Sequence, residues 1–372
     1  RTVTYQYGND PALNNVGRVI AVDNGDVATY MSYGPLGELT TLRRVIQTMQ
    51  TSLGGDYDNT FDYEYNYLGQ MTRIVYPGKT ASLRETVMYQ YDRGGQVNRI
   101  TGTCLGREVV YADRIGYDEW AQRVLMTHGN GTETKYVYNA ARRWLDSQTT
   151  SRGTEVLQHL EYVFYKNGSP MTFTHTAEKK SYTQTYEYDS RDQLKHSTGS
   201  YANTSSVLKN EASYEQTYGY DRVGNMLRKT STLSRTPAKA SDIDFRYDNV
   251  YKYENEAKPH QTTQVGDTHY VYDANGNLTQ LVPDWMWNGG TRPGAPVIGV
   301  SETGDGRAEG DVALGLARGS GSESTETGIR YLTWNHLNQL VAVAEDTMSV
   351  QYRYDADGER RLKVIGAEET VY

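Results

Sequence analysis

The chain has 372 residues, 38 basic and 46 acidic for a net charge of -8, and it carries 33 Tyr against 4 Phe and 5 Trp with only 37% hydrophobic residues. The acidic balance and short, scattered basic pairs (Arg142-Arg143, Lys179-Lys180, Arg360-Arg361) disfavour a nucleic-acid partner, the lone Cys104 excludes an internal disulfide or thiolate metal cluster, and no apolar run reaches membrane-spanning length. So much tyrosine and so little aliphatic residue predict thin sheets wetted on at least one face, because the ring packs while the hydroxyl reaches water or a polar partner.

In chain order, the start Arg1-Thr-Val-Thr-Tyr5 has neither an initiator Met nor a signal-peptide pattern and reads as cut through a repeat. Val19–Val22 and Val27–Tyr30 flank Asp23-Asn24-Gly25, a hairpin tip, and Asn130-Gly131 is a second one. Between and beyond them runs one repeated unit, Y-x-Y-D-x-x-G-x-apolar. It is clearest at Tyr89-Gln-Tyr91-Asp92-Arg-Gly-Gly95, Tyr218-Gly-Tyr220-Asp221-Arg-Val-Gly224, Tyr270-Val-Tyr272-Asp273-Ala-Asn-Gly276 and Tyr352-Arg-Tyr354-Asp355-Ala-Asp-Gly358. Weaker copies centre on Tyr33, Tyr65, Tyr138, Phe164, Tyr188 (with Tyr186 and Asp189), Tyr247 and Trp334, and degenerate ones on Tyr7 and Tyr117. Thirteen copies are placed in all, most of them about 20 to 32 residues apart. Residues 283–328 interrupt the rhythm with Trp285-Met-Trp287, Asn288-Gly-Gly290 and a Gly/Ser/Glu-rich tract, which reads as a loop inserted within a single array spanning 1–372. The end, Glu369-Thr-Val-Tyr372, opens another strand.

Each motif position has a physical task. Aromatics at i and i+2 share one face of a strand and can pair with rings of the adjoining strand. The Asp accepts from backbone amides two residues on and starts a turn, and the Gly supplies the positive φ that closes a short bulged hairpin. Where Gly gives way to Ala121, Arg142, Asp192, Tyr251 or Asn338, the turn is expected to change form, with Asn and Asp tolerating left-handed geometry and Tyr and Arg doing so poorly. Each period holds two strands and two turns, helical periodicity is absent, and the expected fold is all-β: tandem antiparallel hairpins.

The unit resembles the YD repeat of the RHS family, which includes bacterial polymorphic toxins, the B and C components of insecticidal Tc toxins, and teneurins. Tyr67-Leu-Gly-Gln-Met-Thr-Arg-Ile-Val-Tyr-Pro-Gly78, Tyr89–Gly95, Tyr270–Leu278 and Leu332-Thr-Trp-Asn-His-Leu-Asn-Gln-Leu340 are similar to the bacterial, Tc-toxin-like branch, and the resemblance covers nearly the whole chain. It implies a continuous sheet that spirals into a hollow shell, or cocoon, with a toxic C-terminal segment inside and a delivery subunit as a further partner. It also implies a secreted or cell-surface bacterial location. The autoproteolytic D-P-x-G motif of the family is absent; Asp10-Pro11 is followed by Ala12-Leu13.

Other chemistry finds no support in the sequence. The seven histidines lack metal-ligand spacing, and Cys104 reads as an inert thiol. Gly304–Gly310 is one residue too long for a dinucleotide glycine motif, and the turns at Asp273 and Asp355 lack the twelfth-position Glu of a calcium loop. The sequons at Asn130, Asn203 and Asn277 matter only in a eukaryotic secretory context. No catalytic, cofactor or metal residue is assigned. The expected role is a structural shell segment rather than an enzyme. The alternative is a cell-surface adhesin or fibre whose aromatic pairs present a surface to glycans.

Overall fold

The structure, a computed structural model, describes residues 2–47, 57–78, 80, 83–203, 210–236, 245–287, 328–345 and 348–372. Most of the 283–328 insertion therefore lies outside the described residues. The described chain is all-β, with no α-helix among those residues and only short 3-10 turns such as Pro11–Leu13 and Asp284–Met286. It divides into two compact units, one of Arg1–Lys79 with Tyr253–Tyr372 and one of Thr80–Lys252.

The first segment of unit one comprises β1 (Thr4–Tyr7), β2 (Val19–Asp23), β3 (Val27–Tyr33), β4 (Leu39–Ile46), β5 (Tyr57–Tyr65) and β6 (Met71–Val75), each antiparallel to its chain neighbour. Unit two is a longer meander of the same kind: β7 (Thr86–Tyr91), β8 (Val97–Cys104), β9 (Arg107–Tyr117), β10 (Arg123–His128), β11 (Glu133–Tyr138), β12 (Leu145–Arg152) and β13 (Glu155–Phe164). It continues through β14 (Pro170–Ala177), β15 (Lys180–Tyr188), β16 (Leu194–Asn203), β17 (Asn210–Tyr220), β18 (Met226–Thr236) and β19 (Tyr247–Lys252). Unit one resumes with β20 (Gln264–Val265), β21 (Thr268–Tyr272), β22 (Leu278–Pro283), β23 (Arg330–Trp334), β24 (Leu340–Glu345), β25 (Met348–Tyr354), β26 (Arg360–Ile365) and β27 (Glu368–Val371).

Two kinds of turn alternate along this path. Repeat-motif turns join β7 to β8, β15 to β16, β17 to β18, β21 to β22 and β25 to β26, each with a register shift beside the second aromatic. The other kind includes two-residue turns such as Leu105-Gly106, where Cys104 pairs with Arg107 and φ is +50° and +72°. Two successive positive φ values make a turn whose twist matches that of the flanking strands. In a meander, alternate turns fall on the same edge, so the motif turns of unit two line one edge of its sheet.

Three turns correct the expectation that loss of Gly changes their form. Ala121, Asp192 and Asn338 take the left-handed conformation themselves, at φ +60°, +60° and +57°. Their backbone bonding is that of the glycine turns; Ala121 N donates to Asp118 O at 3.1 Å, as Gly95 N does to Asp92 O at 3.1 Å. The turn geometry is set by its other hydrogen bonds, and these outweigh the modest cost of αL at a non-glycine residue. The turn at Arg142 does change: Asn139 N donates to Trp144 O, one residue further round, and Arg143 takes φ +60°. Tyr251 lies inside β19, and the reversal comes later, where Lys258 N donates to Asn255 O at 3.0 Å.

Aromatics two residues apart share a face. Phe61 and Tyr63 stack at 6.4 Å and 8°, and Tyr162 and Phe164 at 6.5 Å and 14°. Such faces leave their rings half-buried, and full burial is concentrated in unit one. There Val27, Ile46, Leu362 and Val364 form one cluster, covered by Tyr57 and Val371, and Val271, Val282 and Ile329 form another with Met286, Trp287 and Tyr331.

Candidate functional site

The recurrent site is the motif turn. In the clear copies and at Asp189 one carboxylate oxygen of the Asp accepts from the chain reversing over it: Asp92 from Gly94 N at 2.8 Å and Gln96 N at 2.9 Å, Asp189 from Arg191 N at 2.8 Å and Gln193 N at 2.9 Å. Asp221 accepts from Val223 N and Asn225 N at 2.9 and 2.8 Å, Asp273 from Asn277 N at 2.8 Å, and Asp355 from Asp357 N and Glu359 N at 3.1 and 3.0 Å. Gly95, Gly224, Gly276 and Gly358 close these turns at φ +83° to +96°. Each such bond to a carboxylate is charge-assisted.

The position before the apolar residue is undefined in the motif, yet it carries a side-chain amide in most copies. Asn225 and Asn277 donate from Nδ2 to the second oxygen of Asp221 and Asp273, both at 2.9 Å. Where Asn replaces Asp the polarity reverses, and Asn66 and Asn335 donate to Oε1 of Gln70 and Gln339 at 2.8 and 2.7 Å. Gln122 reaches the neighbouring turn instead, donating to Arg143 O at 2.8 Å. Aligning the repeats shows this column of Gln and Asn; its task emerges only when neighbouring turns stand side by side.

The second aromatic stitches one repeat to the one before it. Tyr117 donates to Val97 O at 2.8 Å, Tyr138 to Arg123 O at 3.0 Å and Tyr354 to Leu340 O at 2.7 Å, each acceptor being the residue that opens the preceding return strand. Tyr272 donates likewise to Thr262 O at 2.8 Å. At Trp334 the indole Nε1 does the same to Leu278 O at 2.7 Å, so an aromatic other than tyrosine can make the stitch, while Phe164 fills the position by ring packing against Trp144 and Tyr162. Tyr354→Phe is expected to cost about 0.5–1.5 kcal/mol of unfolding free energy, read by urea denaturation, because a carbonyl loses its partner while the ring stays packed.

The first aromatics lie with amides on one face. Tyr186 donates to Gln184 Oε1 at 2.6 Å, Gln184 to Tyr214 Oη at 2.6 Å, and Tyr218 to Gln216 Oε1 at 2.7 Å. Lys229 lies 5.7 Å from the Tyr218 ring centroid and Arg360 5.3 Å from that of Tyr352. Tyr270 holds its edge through its backbone N–H, which donates to Thr263 O at 2.9 Å, and Tyr89 lies half-buried on β7 two residues before Tyr91.

Burial pushes the hydroxyls of Tyr91, Tyr188, Tyr220, Tyr272 and Tyr354 above the ordinary tyrosine value. The backbone N–H of Gln193 holds Asp189 below the ordinary carboxylate value, and the Asn277 side chain does so for Asp273. A raised tyrosine favours the fold below the unfolded value near pH 10, a benefit lost as pH rises through the folded value; a lowered Asp favours it above about pH 4, a benefit lost on acidification. Thermal stability measured against pH is therefore expected to hold from about pH 5 to 9 and to fall on both sides.

Histidines are dispersed among neutral and acidic partners: His159 with Thr149, His175 with Gln158, His196 with Glu215, His269 with Asp284. Cys104 is half-buried at the end of β8. Among the described residues no three His, Cys, Asp or Glu side chains are grouped to hold a metal ion, and no helix is long and apolar enough to cross a membrane.

No protein-family model matches the chain. A curated relative, the toxin subunit YenC1 of Yersinia entomophaga, is 27% identical over 212 residues, covering 49% of this chain and 21% of the relative. Among solved structures, TcdB2-TccC3-TEV superposes at TM-score 0.64 and 17% identity over 100% of this chain and 18% of that one, and TcdB2-TccC3 at 0.61 and 16% over 98% and 19%. The Photorhabdus luminescens Tc holotoxin pore superposes at 0.60 and 16% over 98% and 18%. The chain spans about a fifth of the length of these proteins, and at such identities the structural likeness is one of fold. With the tandem motif, the stitched hairpins and these matches together, the chain is similar in sequence to a Tc toxin subunit and shares the fold of the repeat region in the solved Tc toxin complexes.

Proposed function

We propose that the chain is a wall segment of a secreted bacterial RHS-type toxin, and that the wall encloses a toxic segment downstream and is carried by a delivery subunit. The observation that supports this reading is the stitch: donors on Tyr117, Tyr138, Tyr272, Trp334 and Tyr354 tie their hairpins to the one before, so a thin sheet holds together without a thick core. In this reading residues 1–372 act as one array, 283–328 is an insertion within it, and the motif residues Tyr91, Asp92, Gly95 and their counterparts are structural rather than catalytic. A wall confines by exclusion and needs no reactive group.

Limited proteolysis of the full-length protein tests it. The downstream segment is expected to survive protease until the array is cut. Cleavage of that segment as fast as when it stands alone would remove the reading, and specific capture of a glycan by the array would favour an adhesin.

A further inference from the structure

Within unit one, Asn24, Asp26, Val27, Ile46 and Tyr57 meet residues 353–371 across more than 300 positions of sequence, and side chains make the meeting. Asn24 Nδ2 donates to Tyr354 O at 2.8 Å, Tyr57 donates to Glu369 at 3.1 Å, and Arg353 pairs with Asp26 at 2.9 Å with only 11% and 18% of the two side chains exposed. Between these polar contacts lie Val27, Ile46, Leu362 and Val364. Asp355 is 4% exposed and held by Arg361 Nε at 2.6 Å. Arg44 completes the charged rim; burial first, then the nearby Arg361, pushes its guanidinium below its ordinary value, with Asp355 and Asp357 opposing.

The strand ladders on either side run between chain neighbours, β3 with β4 and β4 with β5, β25 with β26 and β26 with β27. Separating the two segments would thus break side-chain contacts and leave those ladders paired. Openings that spare the main hydrogen-bonded network lie below global unfolding in free energy. The rim decides how often this happens, because a desolvated arginine that loses its carboxylate partner is costly.

We propose that this seam is a latch, the contact along which residues 24–46 and Tyr57 part from residues 353–371 while the sheets on either side remain folded. The proposal concerns this chain alone and stands whether or not the wall encloses a cargo.

Thiol labelling with iodoacetamide tests it in the full chain, with Ile46→Cys reporting the seam and Val282→Cys the second buried cluster, each site identified by peptide mass so that Cys104 does not interfere. Both positions are 0% exposed. Adding Asp26→Asn is expected to speed labelling at position 46 by about tenfold or more and to leave position 282 unchanged. Equal acceleration at both sites would overturn the latch, since opening would then be general unfolding; no acceleration at position 46 would overturn it too. Should Asp26→Asn fail to fold, Tyr57→Phe removes only the bond to Glu369, and the same selectivity is expected at a few-fold.

Discussion

Leu362→Ala is expected to lower the unfolding free energy by about 2–5 kcal/mol, the range for emptying a buried leucine site. Leu362 is 0% exposed on β26 and packs in the cluster with Val27, Ile46 and Val364. The size of the effect comes from scarcity. A tyrosine-rich sheet offers few fully buried aliphatic side chains, so a cavity at one of them has little surrounding core to relax into it. Urea denaturation of the full chain measures this, and the same truncation at the exposed Leu337 is expected to be nearly neutral because that side chain is 53% exposed.

Gly199→Ala is expected to cost about 1–3 kcal/mol, by overpacking rather than by loss of a contact. A Cβ at position 199 would stand 2.0 Å from Cε1 of Tyr214, its direct cross-strand partner. The ring has no free path away, because its hydroxyl takes the hydrogen bond from Gln184 and lies 3.3 Å from that of Tyr182. A double-mutant cycle with Tyr214→Ala isolates the clash: in that background the alanine at 199 is expected to be tolerated, and simple additivity of the two losses would show that ring and backbone are not in conflict.

Much of the local design is legible in the sequence because it is contiguous. Tyr91, Asp92 and Gly95 announce a strand end, an accepting carboxylate and a left-handed residue within five positions, and Asp23-Asn24-Gly25 does the same for a different turn. The tips at Ala121, Asp192 and Asn338 show the limit of that reasoning. Asn and Asp tolerate the left-handed conformation and Ala does not favour it, yet the surrounding hydrogen bonds hold all three residues in the glycine conformation. What joins turn to turn was not legible, since Gln122 and Arg143, or Tyr354 and Leu340, are adjacent only after the sheet is laid out. The buried cluster is further out of reach. Val27 and Leu362 look like ordinary strand residues, and no period in the sequence brings them together.

Cryo-EM of the full-length protein tests the central claim most directly. The account predicts a single layer of consecutive antiparallel hairpins curving around enclosed density, with Tyr117, Tyr138, Trp334 and Tyr354 each bonded to the preceding return strand. A solid aliphatic interior, or an array lying open with nothing inside, would contradict it.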